Sequence, residues 1–188
     1  MAEVGGPRIP GIANLVTGSR VVLAVPGFWF SLRAESFVWL AAVVLVAGVT
    51  DLIDGWVARR FDRPTRFGAA LDPVADGFFF GAVAAGLAVG GTYPGWLAVV
   101  VVLRYLLPVA VGSVLAARGH LPELRHTFFG QLSTALVAVL LGGLALLRGL
   151  GLPGGSILLA AEVILPVATL LAWFELARTA RTISRARA

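Results

Sequence analysis

The chain contains no cysteine and no lysine. Without cysteine there is no disulfide and no thiolate metal site. Any metal must then be held by oxygen or imidazole, which favours hard cations such as magnesium or manganese. Without lysine, all 15 basic residues are arginine. Charge of any kind is scarce: 13% of the 188 residues carry it, against 59% that are hydrophobic. That balance excludes an ordinary soluble domain. A transmembrane helix needs roughly 20 mainly apolar residues, and several windows here qualify. In such a chain an arginine excess reads as a face toward anionic lipid and cytoplasm, not as a nucleic-acid surface. The first residues lack a basic region followed by an apolar run and a small-residue cleavage site, so no removable signal peptide is expected.

What is there is a succession of apolar segments broken by short polar ones. The pattern predicts an all-α integral membrane fold, one domain over residues 1–188, with six transmembrane helices near 13–32, 35–60, 67–89, 94–117, 127–147 and 156–177. Turns are expected at Gly90, Gly91 and Pro94, and again from Gly149 to Gly155. Both termini read as short interfacial segments, the C-terminal one an amphipathic stub carrying Arg178, Arg181, Arg185 and Arg187. Pro26, Pro108 and Pro166 are read as kinks or packing relief inside helices. Trp29, Trp39, Trp96 and Trp173 lie near predicted helix ends and suit interfacial belts. Gly142 and Gly143 read as packing contacts. Arginines crowd the segments after helix two (Arg59, Arg60, Arg63, Arg66), after helix four (Arg118, Arg125) and at the C-terminus. The positive-inside rule therefore predicts a multi-pass cell-membrane protein with both termini on the cytoplasmic side.

Half of the ten acidic residues fall between Asp51 and Asp76. Carboxylates between apolar segments are costly unless compensated. Asp51, Asp54, Gly55, Ala58 and Arg59 share one helical face. Gly55 and Ala58 leave room against the backbone, and Arg59 can fork onto a phosphate. Asp72 and Asp76 are one turn apart on the next helix, and Gly68 allows close approach. The short loop predicts that these two helices are antiparallel neighbours, bringing four carboxylates together at the cytoplasmic edge. Unpaired, they would repel one another; divalent cations holding a diphosphate resolve this. Asp62 reads as a structural partner of Arg63 or Arg66.

The pattern D-x2-D-G-x2-A-R-x8-G-x3-D-x3-D, here Asp51, Asp54, Gly55, Ala58, Arg59, Gly68, Asp72 and Asp76, resembles the signature of the CDP-alcohol phosphotransferases. The resemblance implies a CDP-linked lipid, usually CDP-diacylglycerol, attacked at the lipid-side phosphorus by an alcohol, with CMP leaving. It implies that Asp51, Asp54, Asp72 and Asp76 bind a pair of Mg2+ or Mn2+ ions and that Asp76 is also the general base. Gly55, Ala58, Arg59 and Thr65 would contact the cytidine diphosphate, with Asn14 and Thr17 beside it. A homodimer in contact with membrane lipids is implied in the same way. The early N-x2-T-x2-R stripe (Asn14, Thr17, Arg20) and the segment FGAALDPVAD resemble the phosphatidylglycerophosphate and cardiolipin synthase branch. Helix capping and interfacial anchoring is the other reading of that stripe. The same branch commonly has lysine after the last aspartate, where this chain has Gly77, and Gly-Lys early in helix five, where it has Gly130-Gln131.

Arg104 lies inside helix four, where a buried arginine needs a cavity or a partner. It is read as facing the acceptor pocket and binding phosphate or carboxylate, with a structural pair to Glu162 as the alternative. Arg118 and Gln131 are further acceptor-side candidates, and Arg125 and His126 lie nearby. The favoured acceptor is glycerol-3-phosphate or phosphatidylglycerol; an inositol phosphate remains an alternative. From another class, the same carboxylates would suit a divalent-cation transporter, although such sites usually lie at mid-depth.

Overall fold

The computed structural model describes residues 12–61, 66–117 and 128–185, with side chains described over 18–50, 73–114 and 129–179. Six helices follow one another: α1 (Ile12–Ser31), α2 (Phe37–Phe61), α3 (Arg66–Val89), α4 (Gly95–Ala117), α5 (Phe128–Gly149) and α6 (Gly155–Arg185). A 3-10 turn, Ala34–Ser36, joins the first two. The sequence-based boundaries hold to within a few residues, except that the C-terminal stub continues α6 without a break. Pro26, Pro108 and Pro166 lie inside helices, as does Pro73.

Two of the turns are glycine-capped for a definite reason. Gly91 and Gly151 have φ of +73° and +71°. In that conformation Thr92 N–H reaches Leu87 C=O (2.9 Å) and Leu152 N–H reaches Leu147 C=O (2.8 Å), closing the carbonyls that the ends of α3 and α5 leave open. Each pair of helices can then reverse within a few residues.

The helices form a closed ring. Helix α1 packs on α2 and α3, α3 on α4, α4 on α6, α6 on α5, and α5 back on α2. The direct α2–α3 packing expected from their short connection is not among the principal contacts of the described residues, and α1 lies against both. Inside the ring, Leu40, Phe79, Val83, Leu87, Leu97, Val101, Leu141, Leu144 and Leu165 are all but inaccessible. Outside it, Val25, Trp29, Trp39, Leu45, Val99, Val139, Val163 and Phe174 are exposed. A surface this apolar cannot face water, and backbone satisfied within helices is what hydrocarbon demands. Among the described residues three helices are long and apolar enough to cross a membrane, within Gly95–Val114, Phe129–Gly149 and Gly155–Thr179. Ala34–Thr50 and Pro73–Val89 are apolar but shorter. The protein is an all-helical membrane protein.

Small residues set how closely the ring closes. Gly142 meets Val44 of α2 and Gly143 meets Ile157 of α6, so both are packing contacts. The closest approach is at Gly86 of α3. A Cβ there would lie 1.7 Å from Ser31 Oγ and 2.9 Å from the Phe28 carbonyl oxygen. Ser31 cannot easily turn away, because its hydroxyl donates to that same carbonyl at 2.6 Å. Gly86→Ala should therefore force α1 and α3 apart and cost about 1–3 kcal/mol, the usual range for overpacking. Gly48→Ala, where a Cβ meets nothing within 4 Å, should be neutral or slightly stabilising. Thermal melting of the detergent-solubilised variants measures the difference.

Candidate functional site

Hairpin connectivity puts the three turns near residues 32, 91 and 151 at one end of the ring. Of the described buried polar side chains, Ser31 lies at that end, while Arg20, Arg104, Ser133 and Thr169 lie away from it. Asp76 is 14 residues from Gly90 along α3, about 20 Å at ~1.5 Å per residue. Arg20 of α1 is 3% exposed and donates from Nη1 to Asp76 Oδ1, whose side chain is 16% exposed. A guanidinium and a carboxylate drawn this far from water stabilise one another. Removing either one leaves a charge with a large desolvation cost.

Arg104 of α4 is 6% exposed. Its Nη2 donates to the Gly130 carbonyl and to Thr134 Oγ1, at 2.8 Å for the latter. Ser133 and Thr134 hydroxyls donate to the same carbonyl, at 2.9 and 3.2 Å. The start of α5 is fixed in turn by α6: Glu175 Oε2 accepts from Phe129 N–H at 3.0 Å, a carboxylate at a helix N-terminus, where the dipole favours it. Arg104 thus bonds to α5, and the pairing with Glu162 weighed above is not among its hydrogen bonds. Glu162 stands instead near Tyr93 in the α3–α4 turn, where burial, and then that carboxylate, push the phenol above the ordinary tyrosine range.

Tyr105 follows Arg104 on α4 and packs on Gly77, the residue after Asp76. Its Cβ would be only 2.6 Å from a Cβ at position 77, so Gly77 is glycine because the tyrosine fills its space. The ring lies parallel to Phe80, with centroids 6.2 Å apart, and the Arg104 guanidinium sits 4.8 Å from its centre. A side chain such as lysine at position 77 would collide with it.

The other candidates divide by position. Asp51 and Asp54 are on the last turns of α2 and Asp72 is on α3, as expected, but their side chains lie outside the described residues. The same holds for Gly55, Ala58 and Arg59 on α2, and for Asn14 and Thr17 on α1. Thr65 and Arg118 lie outside the described residues altogether. Gln131 is on α5 and exposed. Among the described residues no group of three or more potential metal-ligating side chains occurs, Asp76 being the one member of the acidic quartet included. Sequence reasoning placed Arg20 beside a nucleotide and did not pair it with Asp76. It read Tyr105, Thr134 and Glu175 as nothing in particular. A tyrosine next to an intramembrane arginine was the available signal.

An open groove runs between α1 and α3, lined by Ala24, Val25, Phe28, Trp29, Phe78 and Ala82. It is apolar throughout and begins one turn from Arg20 and two residues from Asp76.

Comparison with known proteins places these observations. The profile of the CDP-alcohol phosphatidyltransferase family matches residues 11–180. A probable phosphatidylglycerophosphate synthase of Mycobacterium tuberculosis is 32% identical over 174 residues, spanning 88% of this chain and 80% of its own. A CDP-diacylglycerol–glycerol-3-phosphate 3-phosphatidyltransferase of Haemophilus influenzae is 31% identical over 139 residues, 71% of this chain and 74% of its own. A CMP-forming cardiolipin synthase of Streptomyces coelicolor is 31% identical over 133 residues, 68% and 61% respectively. The match over almost the whole helical ring makes this chain a member of the CDP-alcohol phosphatidyltransferase family.

Proposed function

We propose that this enzyme transfers a phosphatidyl group from CDP-diacylglycerol to the hydroxyl of glycerol-3-phosphate or of phosphatidylglycerol, releasing CMP. The observation that carries the reading is the Arg20–Asp76 pair, an ionised carboxylate held at the last position of the acidic motif inside a membrane domain of this family. The relatives named for glycerol-3-phosphate and cardiolipin chemistry support the choice of acceptor. In this reading the whole chain is one domain with six spans. Both termini and the site face the cytoplasm, and two copies associate.

The family works with divalent metals, and the donor set suits a hard cation. Asp51, Asp54, Asp72 and Asp76 offer only carboxylate oxygen, and no thiolate competes. Bound there, Mg2+ or Mn2+ supplies charge neutralisation for the diphosphate and for CMP as it leaves. Gly55 and Ala58 leave space for the nucleotide, Arg59 and Thr65 contact its phosphates, and Asn14 and Thr17 flank it. The acyl chains follow the α1–α3 groove. Asp76 accepts the proton of the acceptor hydroxyl as its oxygen forms a bond to the lipid-side phosphorus and the bond to CMP breaks. Arg104 faces the acceptor, and Arg118 and Gln131 are further acceptor-side candidates. An ion-transport reading is less favoured, because the chain belongs to a phosphatidyltransferase family and transport sites usually lie at mid-depth.

Purified protein given CDP-diacylglycerol and one alcohol at a time, with CMP and lipid product read by mass spectrometry, should respond to glycerol-3-phosphate or phosphatidylglycerol. Release of CMP with neither would refute the assignment. EDTA should stop turnover and added Mg2+ restore it. Asp76→Asn should lower kcat by about 10²–10⁴, the span of general acid–base contributions, while CDP binding persists. Arg20→Met should lower both kcat and the melting temperature, since it strands Asp76 without its cation. Arg20→Lys should recover part of each, because it restores the charge without the planar fork.

A further inference from the structure

Among the described residues, two buried hydrogen-bond donors of α4 have no acceptor. One is Nε of Arg104, whose Nη2 is already committed to α5. The other is the hydroxyl of Tyr105, a residue 4% exposed. The hydroxyl has no partner within hydrogen-bond geometry among the described residues, and Thr134, Asp76, Arg104 and Arg20 are all close enough to act on it. An unmade hydrogen bond in a buried place is expensive. Two side by side, the guanidinium 4.8 Å from the centre of the phenol ring, are the mark of a site built for an oxygen that arrives from outside.

The tyrosine is held there firmly. Phe80 stacks on one side of it. The bare backbone of Gly77 lies against its Cβ, at a spacing that admits no other residue at 77. The ring therefore has little freedom to turn its hydroxyl toward water or toward Thr134. Its charge environment combines both signs. Arg104 next to it favours an anionic ligand, and Asp76 close by is the group that would receive the proton of a reacting hydroxyl.

We propose that the Tyr105 hydroxyl is a specificity-determining donor to a phosphate oxygen of the acceptor, acting beside Arg104. The proposal rests on the phosphatidyltransferase reading above. The ligand chemistry is a glycerol unit bearing a phosphate anion, which reaches the site either as free glycerol-3-phosphate or as the headgroup of phosphatidylglycerol. Arg104 provides the charge, and Tyr105 provides a neutral donor at a fixed angle. An alcohol of the same size without the phosphate leaves both donors unpaired and is rejected for that reason.

The test is Tyr105→Phe, with initial rates measured separately for glycerol-3-phosphate, phosphatidylglycerol and uncharged glycerol at saturating CDP-diacylglycerol and Mg2+. For the phosphate-bearing acceptor that the wild-type protein uses, KM should rise about 10-fold or more, the effect of one hydrogen bond to a charged group. The KM for CDP-diacylglycerol and the kcat should change little, and preference for that acceptor over glycerol should fall by the same factor. Because the hydroxyl has no hydrogen-bond partner among the described residues, its loss should leave the melting temperature unchanged or raise it. A fall in melting temperature with an unchanged acceptor KM would make Tyr105 structural and overturn the proposal. CMP release by the wild-type protein with an unchanged acceptor KM in the variant would overturn this proposal alone. No CMP release by the wild-type protein with either phosphate-bearing acceptor would overturn both it and the reading it rests on.

Discussion

A charge inside a membrane protein must be answered by another charge or by aimed hydrogen bonds, and the architecture of this chain follows from meeting that condition at one level of the ring. Arg20 answers Asp76. Arg104 is answered by the Gly130 carbonyl and the Thr134 hydroxyl. Glu175 is answered by the Phe129 amide in the first turn of α5. These contacts join α1 to α3, α4 to α5 and α5 to α6, so the polar belt is also what fixes the helices around it. The cost of leaving any member unanswered in this environment is several times the worth of a surface pair. The belt therefore specifies which faces of the helices turn inward.

Apolar packing does the rest, and it is arranged to leave the belt no room to slide. At Gly86 and Gly77 the helices touch without an intervening side chain on one partner. Interhelical distance there is set by backbone against Ser31 and by backbone against Tyr105. A shift of α3 that improved one contact would break the other. The position of Asp76, which immediately precedes Gly77 on α3, is determined to the same tolerance.

Much of this was legible in the sequence because it depends on local pattern. Apolar runs, the glycines at 90–91 and 149–151, and the arginine-rich segments were enough to place six helices and their turns. The family was legible from the spacing of four aspartates and the small residues among them. What could not be read was which helix lies beside which. A short loop between α2 and α3 argued that those two are partners, yet among the described residues the principal contacts are of α1 with both, since packing between residues far apart in sequence settles adjacency. For the same reason the partners of Arg20 and Arg104 were hidden: a residue 56 positions away and a backbone carbonyl 26 positions away leave no local trace. Tyr105 was hidden differently. In an apolar run it passes for one more hydrophobic residue, and only the empty space at Gly77 shows that its position is constrained.

The dense apolar fill between the belt and the turn end has an electrical consequence. Side chains such as Phe79, Leu87, Leu97 and Leu144, packed without access to solvent, make that part of the ring an insulator. A membrane voltage drops across the insulating layer and not across groups in contact with the conducting side. An ion moving from the belt toward the turn end would have to shed its water into that fill, at the cost that keeps charges out of hydrocarbon.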